Sequence, residues 1–186
     1  MQFDLTTRRS VPSRLLGEPG PGPQQLRNML SLASRVPDHG NLVPWRFLRL
    51  GKAPRSALGE MLATRAKARD PNIDEAGLRK EYQRFSHAPE IIVVIGRYQH
   101  GHRIPLIEQQ HTSACVCFSL LQAAQASGFA AQWLTGWAAH DESVQRFLGL
   151  TDNESIVGFI HIGSASEMIA ERPRPALDSL LQEFSV

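Results

Sequence analysis

Five consecutive residues, Ile91-Ile92-Val93-Val94-Ile95, carry branched apolar side chains with no polar residue among them. Side chains alternate sides along a strand, so an unbroken apolar run of this kind must be covered on both faces. The chain is therefore expected to fold around a central, doubly covered strand. Ile156 to Ile162 is a second strongly strand-like run, and Gly158 within it can admit close approach of another group. Trp45-Arg46-Phe47-Leu48-Arg49-Leu50 instead alternates polar and apolar residues, as a half-buried strand does.

Helical signals lie between these runs. Pro23 suits a first helical position, and Leu26, Leu30 and Ala33 share one apolar face that Met29 widens. Pro37 ends that helix near Arg35. Gly51 to Pro54 reads as a turn before a helix from Arg55 to Arg69, with Leu58, Met61, Leu62 and Ala66 facing inwards. Asp74 caps a further helix through about Phe85. From Glu108 to Ser127 runs a long segment free of Gly and Pro, with small residues on several faces. Such a helix is expected to be buried and closely packed, with Gly128 ending it. Residues 129–137 form a short strand or loop, and Asp141 caps a helix that stops at Gly149. Gly17 to Pro23 reads as a loop, and the tail from Arg172 carries Leu177, Leu180, Leu181 and Phe184, which should pack on something.

Several function classes fall away on composition. At 186 residues, 42% apolar and 20% charged, the chain suits one soluble domain over residues 1–186. No apolar run approaches the roughly 20 residues needed to span a bilayer, and the N-terminus lacks a signal-type segment, so a cytoplasmic protein is expected. A net charge of +2 does not suggest a nucleic-acid surface. Cys115 and Cys117 would point about 200° apart on a helix and are read as buried structural thiols. His100 and His102 have no third ligand near them in sequence, so no metal site is expected. The glycines Gly17, Gly20 and Gly22 are interleaved with prolines and follow no strand, which excludes a Rossmann or P-loop fingerprint.

Two stretches carry candidate chemistry. Arg8-Arg9-Ser10, with Arg14 four residues on, offers guanidinium forks and a hydroxyl suited to a phosphate. Arg35-Val36-Pro37-Asp38-His39-Gly40-Asn41-Leu42-Val43-Pro44-Trp45 joins a helix to a strand through a dense set of polar and restricted residues. Pro44 biases Val43 towards an extended conformation. Alone, this connection fits either a Pro-stiffened loop with a satisfied histidine or part of a site.

Taken together, the two stretches resemble the nitroreductase family of flavin enzymes, and within it the small YdjA-type branch. Arg8-Arg9-Ser10 matches the family's opening element, and Arg35, Pro37, Asp38, His39, Pro44 and Trp45 match the branch's helix-to-strand connection. The likeness continues through Ala88 to Ile95, Glu108-Gln109, the long helix to Gly128-Phe129, Trp133 with Gly136, and Val157 to Gly163. Val43 departs from a frequent glutamine, and Leu134 from the arginine of YdjA-type relatives.

The resemblance implies an α+β fold with a central, mainly antiparallel sheet flanked by helices, assembled as an intertwined homodimer. It implies bound FMN, NAD(P)H as electron donor, and small-molecule acceptors such as nitroaromatics or quinones. Arg8, Arg9 and Ser10 would hold the phosphate and ribityl chain, while Arg35 and His39 would reach the same flavin from the partner subunit. Ala123, Ala124, Gln125, Ala126, Ser127 and Gly128, with Trp133, Leu134 and Thr135, would complete the pocket. No side chain is assigned as a catalytic acid or nucleophile, because the cofactor supplies the reactivity. Arg14 is a candidate to offset charge on the reduced flavin. The basic outer faces of the helices between Arg55 and Phe85 suit an anionic acceptor, a donor phosphate or simply water. The alternative is a flavin store or redox sensor without a turnover acceptor.

Overall fold

The computed structural model describes residues 4–185. In chain order these form β1 (Leu16–Gly17), α1 (Pro23–Ala33), β2 (Trp45–Arg49), α2 (Lys52–Arg69) and α3 (Glu75–Tyr82). There follow β3 (Glu90–Arg97), α4 (Leu106–Ala126), β4 (Ala130–Leu134), α5 (Glu142–Phe147) and β5 (Glu154–Ala165). All pairings between these strands are antiparallel. β5 is the hub: β3 and β4 both pair with it, β1 meets its C-terminal end, and β2 extends the sheet beyond β3.

The double covering expected of Ile91–Ile95 is present, and alternation divides its residues between two cores. Ile91, Val93 and Ile95 join Phe159 in a cluster with Leu58 and Leu62 of α2, Phe85, and Val144 of α5. Ile92 and Val94 join Ile160 and Ile162 in a second cluster with Leu26 and Met29 of α1 and Val116, Cys117 and Leu120 of α4. The sheet thus lies between α2 and α5 on one face, with α3 packed on α2, and α1 and α4 on the other. Burying a side chain of this size is worth about 2 kcal/mol, so the β3–β5 pair anchors both layers at once.

Several boundaries follow the sequence closely. Asp74 Oδ1 accepts from Gly77 N at 2.7 Å, and Asp141 Oδ1 accepts from the Ser143 and Val144 N–H groups. Gly128 takes φ +83° just past α4, where a left-handed residue closes the helix. Gly158 is overlaid by the Trp133 indole, which would come within 2.0 Å of a Cβ there.

Other expectations need correction. α2 begins at Lys52 rather than Arg55, because Pro54 sits in the first turn, where its missing N–H has no helical partner to lose. Leu16–Gly17 pairs as a short strand, so the Gly/Pro loop starts one residue later. Val43 is not extended: its φ is +50°, beside Asn41 at +52° and Gly40 at +70°. The Asp38 carboxylate accepts the Val43 N–H at 2.7 Å and draws the backbone into that turn, overriding the Pro44 bias. Nor is α4 buried all round, since Ile107, Cys115 and Phe118 are exposed on its outer side. The angular separation of the two cysteines leaves only Cys117 in the core, where burial pushes its thiol pKa up. The tail residues Leu177, Leu180, Leu181 and Phe184 are exposed as well.

Candidate functional site

The N-terminal arginines are set by backbone pairing with β4. Ser10 bridges to Ala131, Val11 N donates to Ala131 O at 3.1 Å, and Ser13 N donates to Gln132 Oε1 at 2.6 Å. From α4, the Gln125 amide donates to Thr7 Oγ1 and to Asp4 O. Held from both sides, Arg8 lies between two adjoining hollows of about 420 and 400 Å³ that also share Leu121. The first is closed by Gln125, Gly128 and Phe129, the second by Ser10, Phe118, Trp133 and Thr135.

Chemically the two hollows differ from an ordinary surface groove. The Arg8 guanidinium contacts Ser10 Oγ at 3.3 Å and has no carboxylate within 4 Å among the described residues. The Gln125 Oε1 atom is buried and has no hydrogen-bond partner among the described residues. A buried acceptor left unsatisfied costs about 1–3 kcal/mol. Phe118, Leu121 and Trp133 supply an apolar wall, and Trp133 is fixed by its Nε1–H donating to Val157 O at 3.2 Å. A cation without a carboxylate partner among the described residues and an apolar wall fit a molecule with a phosphate and an aromatic ring.

Arg9 is oriented differently. Its guanidinium pairs with Glu171 at the start of the tail and donates to the Thr6 and Arg8 carbonyls. Glu171 also accepts from Arg174 Nε at 2.8 Å. Arg9 therefore ties the N-terminal segment to the tail.

The second stretch is positioned by α4. Thr112 Oγ1 donates to Pro37 O and Ser113 Oγ to Pro44 O, pinning both ends of the connection. His39 Nδ1 lies 2.7 Å from Glu108 Oε2 in the first turn of α4, an arrangement that leaves Nε2 available to a ligand. Buried Gln109 holds the loop that precedes α4 through Gln99 and Ile104. Arg35 is exposed just past α1, and neither Arg35 nor His39 lines the hollows around Arg8.

The remaining candidates separate by face. Ala123 and Ala124 are buried in the core, and their carbonyls accept from Ser127 and Phe129 in the turn that ends α4. They and Ala126 and Ser127 shape that turn without lining either hollow. Leu134 packs against the α2 side of the sheet, opposite Trp133 and Thr135, and so faces away from Arg8.

That opposite face carries a third cavity, of about 600 Å³, which the sequence pattern did not single out. Pro12, Ser13 and Arg14, one side of α3, and Gln132 and Leu134 enclose it. Arg14 thus stands across β4 from Arg8 rather than beside it. Behind this wall His161, fully buried on β5, stacks on Phe85 and has no partner at either ring nitrogen among the described residues. Burial, aided by Arg55, His87 and Arg84, depresses its pKa to about 3, so the ring is neutral. No group of three or more potential metal ligands occurs among the described residues. No helix among them is long and apolar enough to cross a membrane.

Comparison with known proteins identifies the fold. The profile of the Nitroreductase family matches residues 5–164. The chain belongs to the nitroreductase family. An Escherichia coli K12 protein named "Putative NAD(P)H nitroreductase YdjA" is 35% identical over 163 residues, covering 86% of this chain and 85% of that one. Among solved structures, a nitroreductase-like family protein from Bacillus cereus superposes with a TM-score of 0.79 at 20% identity, covering 97% of this chain and 93% of that one. A Bacteroides fragilis nitroreductase with bound FMN gives 0.68 at 19% identity over 97% and 96% of the two chains. The nitroreductase fold is thus shared at identities where side-chain detail diverges. In this member of the family, the antiparallel sheet and its flanking helices bring the N-terminal arginines to the free edge of β4.

Proposed function

We propose that the protein is an FMN-dependent oxidoreductase that passes electrons from NAD(P)H to nitroaromatic, quinone or similar acceptors. The carrying observation is the pair of hollows around Arg8, with a guanidinium that meets no carboxylate among the described residues and an apolar wall, in a chain of the nitroreductase family. Relatives support the cofactors by name, one as an NAD(P)H nitroreductase and one with FMN bound.

In this reading Arg8 and Ser10 hold the phosphate, Gln125 borders the ribityl chain, and the segment Trp133–Thr135 borders the ring. FMN supplies two-electron transfer between a nicotinamide donor and an acceptor when it is bound. The side chains bind and orient, and Phe118, Leu121 and Trp133 exclude water from one side. Arg9 contributes by fixing the N-terminal segment against the tail.

The working unit we propose is a cytoplasmic homodimer of single-domain chains, with Arg35 and His39 contributed across the interface. Support comes from the unpartnered apolar residues Ile107 and Phe118 on α4 and Leu177, Leu180, Leu181 and Phe184 on the tail. Large apolar residues left exposed on a helix and a tail suit burial against a second copy of the chain. No nucleic-acid or membrane partner enters the reading.

An absorption spectrum of the purified protein, followed by denaturation and identification of the released chromophore, tests the cofactor. Flavin peaks with released FMN are expected, and a protein that stays colourless after incubation with FMN would remove the assignment. Turnover of NAD(P)H with an acceptor beyond one equivalent separates an enzyme from a flavin store. Mixing Arg8→Ala with Arg35→Ala protein should restore half-normal flavin on subunit exchange, and no recovery despite exchange would exclude a shared site.

A further inference from the structure

The cavity on the α3 face of β4 is basic on every side that carries charge. Arg14, Arg79, Lys80, Arg84 and His87 line it, and no acidic residue does. Arg84 is neutralised and fixed: it donates to both oxygens of Glu81, which also accepts from Trp137 Nε1 at 3.2 Å. Arg14, Arg79 and Lys80 have no carboxylate within 4 Å among the described residues. Elsewhere Arg46, Arg49 and Arg65 each meet a carboxylate that is at most 9% exposed. Cations gathered around a concavity without counter-charges raise the local concentration of anions.

We propose that this cavity is an anion-recognition subsite for the molecule that exchanges electrons with the flavin, taking a phosphate or carboxylate group carried by that molecule. The volume of about 600 Å³ fits one small organic molecule. Pro12, Ala76 and Leu134 give the lining apolar surface for its body, and Arg14, Arg79 and Lys80 give it cations for its charged end. Leu134 and Gln132 wall this cavity, whereas Trp133 and Thr135 wall the hollow on the other face. Only the free edge of β4 beyond the Ser10–Ala131 bridge separates the two. The cavity and the hollow therefore border the same strand.

Naming the bound molecule as the flavin's reaction partner rests on the function proposed above; the anion site itself does not. Two sources share the chemistry, the 2′-phosphate of NADPH and an acid group on the acceptor. The test uses the full chain and the variant R79E/K80E. R79Q/K80Q serves as a second variant, because acidic residues in the last turn of α3 would oppose its dipole.

Two ratios of kcat/KM are measured: NADPH against NADH, and 4-nitrobenzoate against 4-nitrobenzyl alcohol. Calorimetry on flavin-free protein with adenosine 2′,5′-bisphosphate and with 4-nitrobenzoate supplies a readout independent of turnover. One ratio should fall about tenfold in R79Q/K80Q, the loss of one charged hydrogen bond. A fall in the first ratio assigns the donor phosphate, and a fall in the second the acceptor acid. Unchanged ratios with unchanged anion affinity would overturn the proposal. If the protein holds no flavin, calorimetry decides alone. Anion binding that the variants abolish then keeps the site and discards its link to a flavin, and wild-type protein that binds neither probe discards the site.

Discussion

The two edges of the sheet treat positive charge in opposite ways. At the β2 edge, Arg46 donates to Glu154 from Nε and Nη2 at 2.6 and 2.8 Å, and Arg49 meets Glu90 at 2.6 Å. Both carboxylates are almost fully buried, and these pairs stitch β2 to the strands beyond it. At the β4 edge, Arg8, Arg14, Arg79 and Lys80 lie beside cavities with no carboxylate in reach among the described residues. The first set of charges is consumed by folding. The second stays available, which is what a site for anionic molecules requires.

The largest effect should come from breaking the β4 edge. Arg8→Ala is expected to weaken FMN binding about a hundredfold, the loss of one or two charged hydrogen bonds, in a fluorescence titration. Its thermal midpoint without FMN should match wild type, since Arg8 has no ionic partner to lose. A variant that unfolds instead would erase the contrast between the edges.

Glu154→Gln probes the other edge and should cost about 2 kcal/mol of stability in urea unfolding, because it strands Arg46 in a half-buried setting. The Arg46 hydrogen bonds hold the Glu154 carboxyl below its ordinary value of 4.5 against the opposing effect of burial. A depressed folded pKa adds stability above the unfolded value and loses it as pH falls through the folded one. Acid sensitivity below about pH 4.5 should therefore lessen in Glu154→Gln, while flavin content is unchanged.

Between the edges lies His161, which the fold keeps neutral without a partner. The unfolded chain protonates this group near its ordinary 6.5 and the folded one only near 3, so the unfolded state gains a proton as pH falls between those values. Wild-type stability should decline across that window by about 1.4 kcal/mol per pH unit from this group. His161→Leu should remove that slope. An unchanged slope would mean the ring finds a partner or a proton in solution.

The smallest expected effect is a gain. Val43 is β-branched at φ +50°, a strained conformation worth about 1–3 kcal/mol. Glycine relieves the strain but enlarges the unfolded ensemble. Val43→Gly should stabilise the protein by less than about 1 kcal/mol, seen as a small rise in denaturant midpoint.

How far the sequence could be read differs from residue to residue. Ile91–Ile95, the Asp74 and Asp141 caps and Gly128 were legible because each depends on neighbours within a few positions. Val43 was misjudged because Asp38, five residues away, competes with Pro44 for its backbone. Cys115 was taken as buried because helix periodicity gives the angle between two residues but not which one faces the core. Arg8 with Ser10 and Arg35 with His39 were recognisable as motifs. The third cavity was not, because Arg14, Arg79, Lys80 and Leu134 come from three separate segments and form no local pattern.

By itself the sequence determined a doubly covered central strand, the order of helices and strands, and two polar stretches typical of the nitroreductase family. Those features are local, set by side-chain alternation, backbone restriction and capping. Only the tertiary structure decided which arginines would be neutralised and which left free. That outcome depends on whether folding brings a carboxylate within about 4 Å of a guanidinium, and Glu154, 108 residues from Arg46, is a partner that no window of sequence could assign.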